Sequence, residues 1–288
     1  MLDYTTIDRV CQELQCATER KRMVKTSNQE LQLYFEKTKQ IAKAGRVREC
    51  ANIMTWKRWQ DPEQTVKLNS LNLCRERLCA NCATALGRKK FAELLNAFSG
   101  VKNVYFGTVT VDNVTGDVLR ITTQKMLTAF KAMVRKLKIK DYFRSIEVTH
   151  NEEENTYHPH IHFVYTETDE SQHKRVKATW TECIHSAGIR TKYAWVSCKV
   201  KPVKEEKQYF ELCKYVTKPN DINQTTIPVL DKAMKGIQLK RGSKSVTDKS
   251  VSYRKASKAE QAETEKRLSE YEWDLFQYIW NGENYIPQ

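Results

Sequence analysis

The chain has 288 residues, and 49 Lys and Arg against 35 Asp and Glu give it a net charge of +14. A mean hydropathy of −0.67 excludes a membrane-spanning chain, because a spanning helix needs about 18 consecutive apolar residues and no run comes close. The N-terminus has no basic segment followed by an apolar one, so we expect no secretory signal, no membrane partner and a cytoplasmic location. The positive charge predicts a polyanionic partner, most often nucleic acid.

The spacing of apolar residues predicts four segments along the chain. Near-3.6 spacing indicates helices at the N-terminus, and the stretch after it loses this period until a helix begins at Ala83. The C-terminal part contains a loop rich in Asn, Thr and Asp, then a basic stretch over 232–258 and a last predicted helix over 259–280. The predicted segments are a helical N-terminal segment (1–46), a cysteine-containing module and helix (47–100), a core of alternating strands and helices (101–220) and a basic, helical C-terminal extension (221–288).

The core alternates in the order β-α-β-β-α-β, which is typical of a ferredoxin-like antiparallel sheet and predicts an α+β fold. In that arrangement the first and third strands are adjacent at the centre and the helices cover one face. The other face is then free for ligands. The predicted strands are 103–111, 142–149, 160–165 and 191–200, the helices between them are 122–137 and 171–187, and a further helix follows at 204–218.

Alternation along the strands places five polar residues on the free face: Thr108, Thr110, Glu147, His160 and His162. Two histidines at i and i+2 point the same way, and a carboxylate on the neighbouring strand adds a third ligand. Such a set leaves positions open for phosphate and water, as a catalytic Mg²⁺ or Mn²⁺ requires. The alternative is a pair of polar histidines on an exposed strand.

A polar stripe follows on the next predicted helix. Glu211, Tyr215 and Lys218 lie at i, i+4 and i+7 on one helix face. A phenol can attack a phosphodiester, a glutamate one turn away can act as a general base, and Lys214 and Lys218 would balance the phosphate charge. The alternative is a surface Glu/Tyr pair without function.

Cysteines cluster in the stretch without helical period. Nine cysteines in a cytoplasmic chain do not suggest a disulfide framework. Thiolates would complete a tetrahedral zinc shell and organise this stretch; the alternative is a set of reduced buried thiols. The predicted zinc ligands are Cys50, Cys74, Cys79 and Cys82.

Basic residues flank the cysteines and recur in the basic stretch. They either contact phosphates or form a solvated surface. The predicted DNA-binding residues are Arg75, Arg77, Arg88, Lys89, Lys240 and Arg241.

The sequence resembles the HUH endonuclease superfamily, and within it the rolling-circle replication initiators (Rep proteins) of small plasmids from Gram-positive bacteria. The stretches that carry the resemblance are residues 105–111, the His-Pro-His-Ile-His motif at 158–162, the Glu-x-x-Lys-Tyr-x-x-Lys motif at 211–218 and the cysteines at 74–82.

The resemblance implies that Tyr215 nicks one strand at the plasmid double-strand origin and stays joined to the 5′ phosphate, while Glu211 activates water at termination. His160 and His162 carry over as metal ligands, with Glu147 as the third. Implied partners are origin DNA with a hairpin or single-stranded nick site, and a host helicase and DNA polymerase; a homodimer stays open. The competing interpretations are a transposase or mobilisation relaxase of the same superfamily and a non-catalytic, zinc-dependent DNA-binding regulator.

Overall fold

The computed structural model describes residues 4–169, 171–191, 198–213 and 221–288. Contacts group the chain into two units, one made of Met1–Cys82 with Lys255–Gln288 and the other of Ala83–Arg254. The four functional segments expected from the sequence stay a prediction. In chain order the elements are α1 (Tyr4–Lys37), α2 (Ile41–Arg48), β1 (Ile53–Trp59), β2 (Val66–Leu71), α3 (Ala80–Phe98), β3 (Val104–Thr110), α4 (Leu119–Lys136), β4 (Tyr142–Asn151), β5 (Thr156–Thr166), α5 (Gln172–Ser186), β6 (Cys198–Pro202), α6 (Lys207–Cys213), α7 (Thr226–Met234), β7 (Lys240–Gly242), α8 (Lys244–Leu268), β8 (Trp273–Trp280) and β9 (Tyr285–Pro287).

The first unit contains a small antiparallel sheet with the strand order β2-β1-β8-β9. Alternate residues of β1 face in opposite directions, and Met54 and Trp56 are buried on one face. Leu14 and Ala17 of α1 pack against these two residues. The sheet therefore joins residues from near both ends of the described chain.

The stretch 47–82 has no helical period, as the sequence indicates, and it contains the strands β1 and β2, which were not predicted. One prediction about this unit is wrong. The predicted last helix is correct only to Leu268, because Trp273–Trp280 is a strand. Trp273, Phe276 and Trp280 have helix-like spacing, yet aromatic and β-branched residues favour a strand when a partner is available. The partner is β1, far away in sequence, so no local pattern revealed it.

The second unit contains the predicted α+β core. Its sheet has the order β6-β3-β5-β4-β7, and every pairing is antiparallel. The first and third strands of the β-α-β-β-α-β unit, β3 and β5, are adjacent at the centre, which confirms the predicted arrangement. Residues 192–197, part of the predicted fourth strand, lie outside the described residues.

One face of this sheet packs against α4 and α5 as predicted. The Phe163 ring contacts Phe130 of α4 with centroids 5.3 Å apart. Close packing on this face requires Gly107, because a Cβ there would lie 2.3 Å from the Phe163 ring. Trp180 of α5 is buried and donates from Nε1 to the carbonyl oxygen of Thr110 at 3.1 Å.

The opposite face is only partly free, which corrects the expectation of an open face. Helices outside the repeat cover one end of it: Leu94 and Phe98 of α3, Leu212 of α6 and Val246 of α8 belong to one buried cluster with strand residues. The strand residues in that cluster are Val104, Phe106, Phe143 and Val164. The other end of the same face carries the polar residues.

Short elements between the predicted ones were missed. The Asn- and Thr-rich loop contains α7, whose buried residues include Ile227 and Leu230. Its first turn is fixed by Asn223, whose Oδ1 accepts from the backbone N–H groups of Thr225 and Thr226, both at 3.0 Å. Such local bonds start a helix in a sequence that otherwise reads as a turn.

Candidate active site and metal-binding clusters

Glu147, His160 and His162 meet at the polar end of this face of the large sheet. The β4–β5 register places Glu147 opposite His160, and His162 follows two residues later on the same face. Oε2 of Glu147 lies 3.0 Å from Nε2 of His160 and 2.9 Å from Nε2 of His162. Ligands in adjacent positions around a six-coordinate cation with bonds of about 2.1 Å are about 3.0 Å apart. The spacing and donor atoms therefore fit a metal ion.

The two imidazole rings are held from their far sides. Nδ1 of His160 lies 3.2 Å from the carbonyl oxygen of His158, and Nδ1 of His162 lies 2.9 Å from Oγ1 of Thr108. A carbonyl oxygen only accepts, so Nδ1 of His160 carries the hydrogen. If His160 is neutral, a lone pair on its Nε2 faces the negatively charged carboxylate of Glu147, and the two repel each other. A proton or a bound cation between the two atoms removes this repulsion.

Opposing effects act on the Glu147 carboxyl. Burial raises its pKa, but the hydrogen bonds and charges of His160 and His162 together outweigh burial, and the net pKa lies below its ordinary value. Burial and the charge of His160 lower the pKa of His158. His158 contacts Oγ1 of Thr110 at the edge of the cluster.

The line of opposed residues that crosses the sheet through His162 ends in a lysine on each side. The registers place Lys199 of β6 opposite Thr108, Thr108 opposite His162, and His162 opposite Ser145. Ser145 in turn lies opposite Lys240 of β7. Side chains of directly opposed residues share a face, so a lysine stands on each side of the site.

Lys199 and Lys240 differ in exposure, and a third lysine, Lys201, lies on the same face. Lys199 is exposed, and so is Lys201, which lies opposite Phe106 on the same face. Lys240 is half-buried and donates from Nζ to the carbonyl oxygen of Cys213 at 2.8 Å. The sequence prediction missed Lys199 and Lys201. The alternation Cys-Lys-Val-Lys at the end of the predicted fourth strand could have placed both lysines on one face of the sheet.

The remaining predicted DNA-binding residues are exposed: Arg75, Arg77, Arg88, Lys89 and Arg241. Arg241 is paired with Arg144 in the β4–β7 register. It therefore points to the face that packs against α4 and α5, opposite to Lys240.

Helix α6 carries Glu211 and ends its described part at Cys213. Glu211 is partly exposed, whereas Leu212 and Cys213 are buried. Gly87 of α3 allows a close approach, because a Cβ there would lie 2.5 Å from the carbonyl oxygen of Cys213. The predicted residues Lys214, Tyr215 and Lys218 lie outside the described residues.

Four cysteines form a second cluster, in the first unit. All four are buried, with exposed fractions of 0–6%. Sγ of Cys50 lies 3.6 Å from Cys82 and 3.5 Å from Cys79, and Cys74 lies 3.5 Å from Cys82. Ligands around a tetrahedral ion with bonds of about 2.3 Å are about 3.8 Å apart. The sulfurs thus approach tetrahedral ligand spacing, far from that of a disulfide, and could hold a metal ion.

Backbone N–H groups and a lysine surround this cluster. The N–H of Arg75 donates to Sγ of Cys82 at 3.1 Å, and that of Cys74 donates to Sγ of Cys50 at 3.4 Å. Nζ of the buried Lys21 donates to the carbonyl oxygen of Cys50 and, at 2.7 Å, to Oδ1 of Asn52. These donors favour negatively charged sulfur.

The chain matches known replication proteins. A family model described as "Replication protein" matches residues 65–286, about three quarters of the chain. The protein belongs to the Replication protein family. The predicted resemblance to replication initiators is therefore confirmed at the level of the family. The matched range includes Glu147, His160 and His162, but it begins after Cys50.

Curated relatives of this family member are each named "Protein rep". One from Bacillus amyloliquefaciens is 37% identical over 131 residues, covering 42% of this chain and 38% of the relative. One from Bacillus sp is 35% identical over 131 residues, covering 42% of each, and one from Streptococcus pneumoniae serotype 2 is 32% identical over 127 residues, covering 41% and 39%. The chain thus spans about two fifths of the length of these relatives. No solved structure matches it.

Within the described part of the chain, none of the helices has both the length and the apolar character needed to cross a membrane.

Proposed function

We propose that this member of the Replication protein family initiates rolling-circle replication of a plasmid by nicking one DNA strand at the double-strand origin. The observation that carries the proposal is the meeting of Glu147, His160 and His162 on one face of the sheet. A carboxylate and two imidazoles that converge on one point favour a catalytic metal site over a protein that only binds DNA. The reaction would act on plasmid DNA in the cytoplasm.

Glu147, His160 and His162 would hold Mg²⁺ or Mn²⁺, since their oxygen and nitrogen donors suit these ions. The bound ion would withdraw charge from a non-bridging oxygen of the scissile phosphate. Thr108 would keep the His162 ring in place, and the carbonyl of His158 would do the same for His160. Lys199 and Lys201 would contact phosphates of the DNA strand on the same face.

Tyr215 is the proposed nucleophile. Its phenolic oxygen forms a bond to phosphorus while the bond from phosphorus to the 3′ oxygen breaks. The phenol gives up its proton as this bond forms, and the departing 3′ oxygen takes up one proton in exchange, so that it leaves as a hydroxyl while the 5′ phosphate stays on the tyrosine. Glu211 would later take a proton from a water or hydroxyl that displaces the tyrosine, and Lys214 and Lys218 would balance the phosphate charge. The position of Glu211 on α6, directly before this segment, supports the assignment.

The four cysteines would hold Zn²⁺ as a structural ion. Their complete burial leaves no position for a substrate, which is typical of structural rather than catalytic zinc. The freed 3′ hydroxyl is a primer, so a host DNA polymerase and a helicase are the proposed partners after the nick. A homodimer on the origin remains part of this proposal.

A supercoiled plasmid with the cognate origin tests the proposal. The purified chain should convert it to the nicked form only when Mg²⁺ or Mn²⁺ is present, and the 5′ end should stay attached to protein. Tyr215→Phe should abolish the attachment but bind the DNA, whereas the control Tyr271→Phe, an exposed tyrosine outside α6, should react normally. Binding without any nicking would instead support the non-catalytic regulator.

A further inference from the structure

One face of the small sheet carries several exposed apolar side chains. The registers place Ile53 opposite Ile279, Lys57 opposite Leu275 and Trp59 opposite Trp273, and all six side chains share one face. Ile286 of β9 continues this row from Ile279. A hydrogen bond of 3.2 Å from Nε2 of Gln277 to Oγ1 of Thr55 joins the strands on the same face. We call this surface the Trp273 face.

The Trp273 face is turned away from the core of its unit. Met54 and Trp56, which pack against α1, lie on the opposite face of β1. On the Trp273 face, Trp273 and Leu275 are each 51% exposed, Ile286 is 45% exposed and Ile53 is 37% exposed. Two other residues of this face, Trp59 and Thr55, are buried. Exposed apolar side chains grouped on one sheet face are typical of a binding surface.

The charge on the Trp273 face has one sign. Lys57 lies at the centre with Nζ 4.1 Å from the Trp273 ring centroid and 4.7 Å from that of Trp59. Lys67 of β2 lies opposite Lys57 on the same face. The carboxylate of Asp274 lies on the other face and pairs with Arg58. The described strands place no carboxylate on this face.

We propose that the Trp273 face binds unpaired bases of single-stranded DNA. Exposed aromatic and aliphatic side chains offer a stacking surface for any base, and the two lysines attract the phosphates between the bases. This inference rests on the proposed function for its choice of DNA as the partner. It adds a second DNA-contacting surface, on a different sheet from Glu147, His160 and His162.

A second copy of the chain is a poorer occupant. In a two-fold symmetric interface the same patch meets itself. Lys57 and Lys67 of both copies would then be buried together, and the face has no carboxylate to pair with them. Unpaired buried charge is costly, whereas a DNA backbone supplies the missing negative charge.

The test compares two substitutions of Trp273 in the full chain, using (dT)20 and a 20-base-pair duplex as probes at fixed salt. Trp273→Leu keeps an apolar side chain but removes the aromatic ring, so affinity for (dT)20 should fall about tenfold while duplex affinity changes less than about twofold. Trp273→Phe keeps a ring and should retain affinity within about threefold of the wild type. Ile121→Ala, an exposed apolar substitution on α4, is the control and should change neither affinity.

Several results would overturn the inference. One is equal (dT)20 affinity of Trp273→Leu and the wild type. Another concerns sedimentation: the wild type is a dimer, and Trp273→Leu is a monomer that still binds (dT)20 as the wild type does. This result would assign the Trp273 face to contact with a second copy of the chain. Circular dichroism checks that both variants fold. If the Leu variant does not, Lys67→Gln carries the test, because loss of this exposed lysine should lower the slope of log affinity for (dT)20 against log salt by about 0.7. The assay measures binding, so a wild type that fails to nick but shows the expected ranking contradicts the proposed function alone.

Discussion

The two side-chain clusters of this protein differ in their exposure and in how the chain builds them. The four cysteines are 0–6% exposed and come from a loop, a turn and the start of α3. The side chains of Glu147, His160 and His162 are 20%, 13% and 14% exposed and come from two paired strands. A closed set of four ligands serves the fold, and an open set of three leaves positions for substrate. The difference predicts that losing the first costs stability and losing the second costs activity.

Cys79→Ser should give the largest effect. Removal of one sulfur from the closed cluster should release the metal ion and lower the free energy of unfolding by about 3 kcal/mol or more, because metal binding and folding are coupled in such sites. Metal analysis and thermal unfolding measure the two quantities. Cys183→Ser is the matched control, since Cys183 is buried on α5 outside the cluster.

The control variant should keep its metal content and lose less stability than Cys79→Ser. A wild type that contains no metal yet unfolds at the same temperature as Cys79→Ser would contradict the structural role of the cysteine cluster.

Glu147→Ala should affect the reaction instead of the fold. It removes the carboxylate that contacts both histidines, so nicking should slow by about 100-fold or more, beyond the effect of losing an outer partner. The unfolding temperature should stay close to that of the wild type, because the carboxylate is partly exposed. Nicking rates and thermal unfolding of the same sample provide the comparison.

Glu154→Ala, on the exposed turn between β4 and β5, is the control for this substitution. If Glu147→Ala nicks at the wild-type rate with the same metal requirement, the open cluster has no catalytic role.

Thr108→Val should produce a smaller effect of the same kind. The Thr108 hydroxyl contacts Nδ1 of His162, and loss of such a partner typically weakens metal binding about tenfold. The metal concentration for half-maximal nicking should rise by about that factor, while Thr108→Ser, which keeps a hydroxyl, should require little more than the wild type. An unchanged metal requirement in Thr108→Val would mean that this bond does not position the ring.

The large sheet and its site were predictable because both depend on local alternation. Glu147, His160 and His162 were assigned to one face from their positions along the strands, and the register places them there. The cysteines were predictable from the short spacing of Cys79 and Cys82, with two further sulfurs within reach.

Contacts between distant segments were not predictable. The strand Trp273–Trp280 forms because it pairs with Ile53–Trp59, and helix-like spacing of its large residues concealed this. The partial covering of the large sheet also depends on distant helices. Leu94 lies before the predicted core in the sequence and Val246 lies after it, yet both belong to one buried cluster on the sheet. Each of these features needs a partner segment that no local pattern names.

The smallest expected effect comes from the exposed lysines beside the open cluster. Lys199→Gln and Lys201→Gln each remove one positive charge from the edge strand β6, on the face of His162. If each lysine contacts one phosphate, the slope of log affinity against log salt for a single-stranded origin oligonucleotide should fall by about 0.7 per substitution. Lys131→Gln, an exposed lysine on α4 across the sheet, should leave the slope unchanged. An equal change in slope for all three variants would mean that only net charge matters, and that the DNA strand does not follow the row from Lys199 to His162.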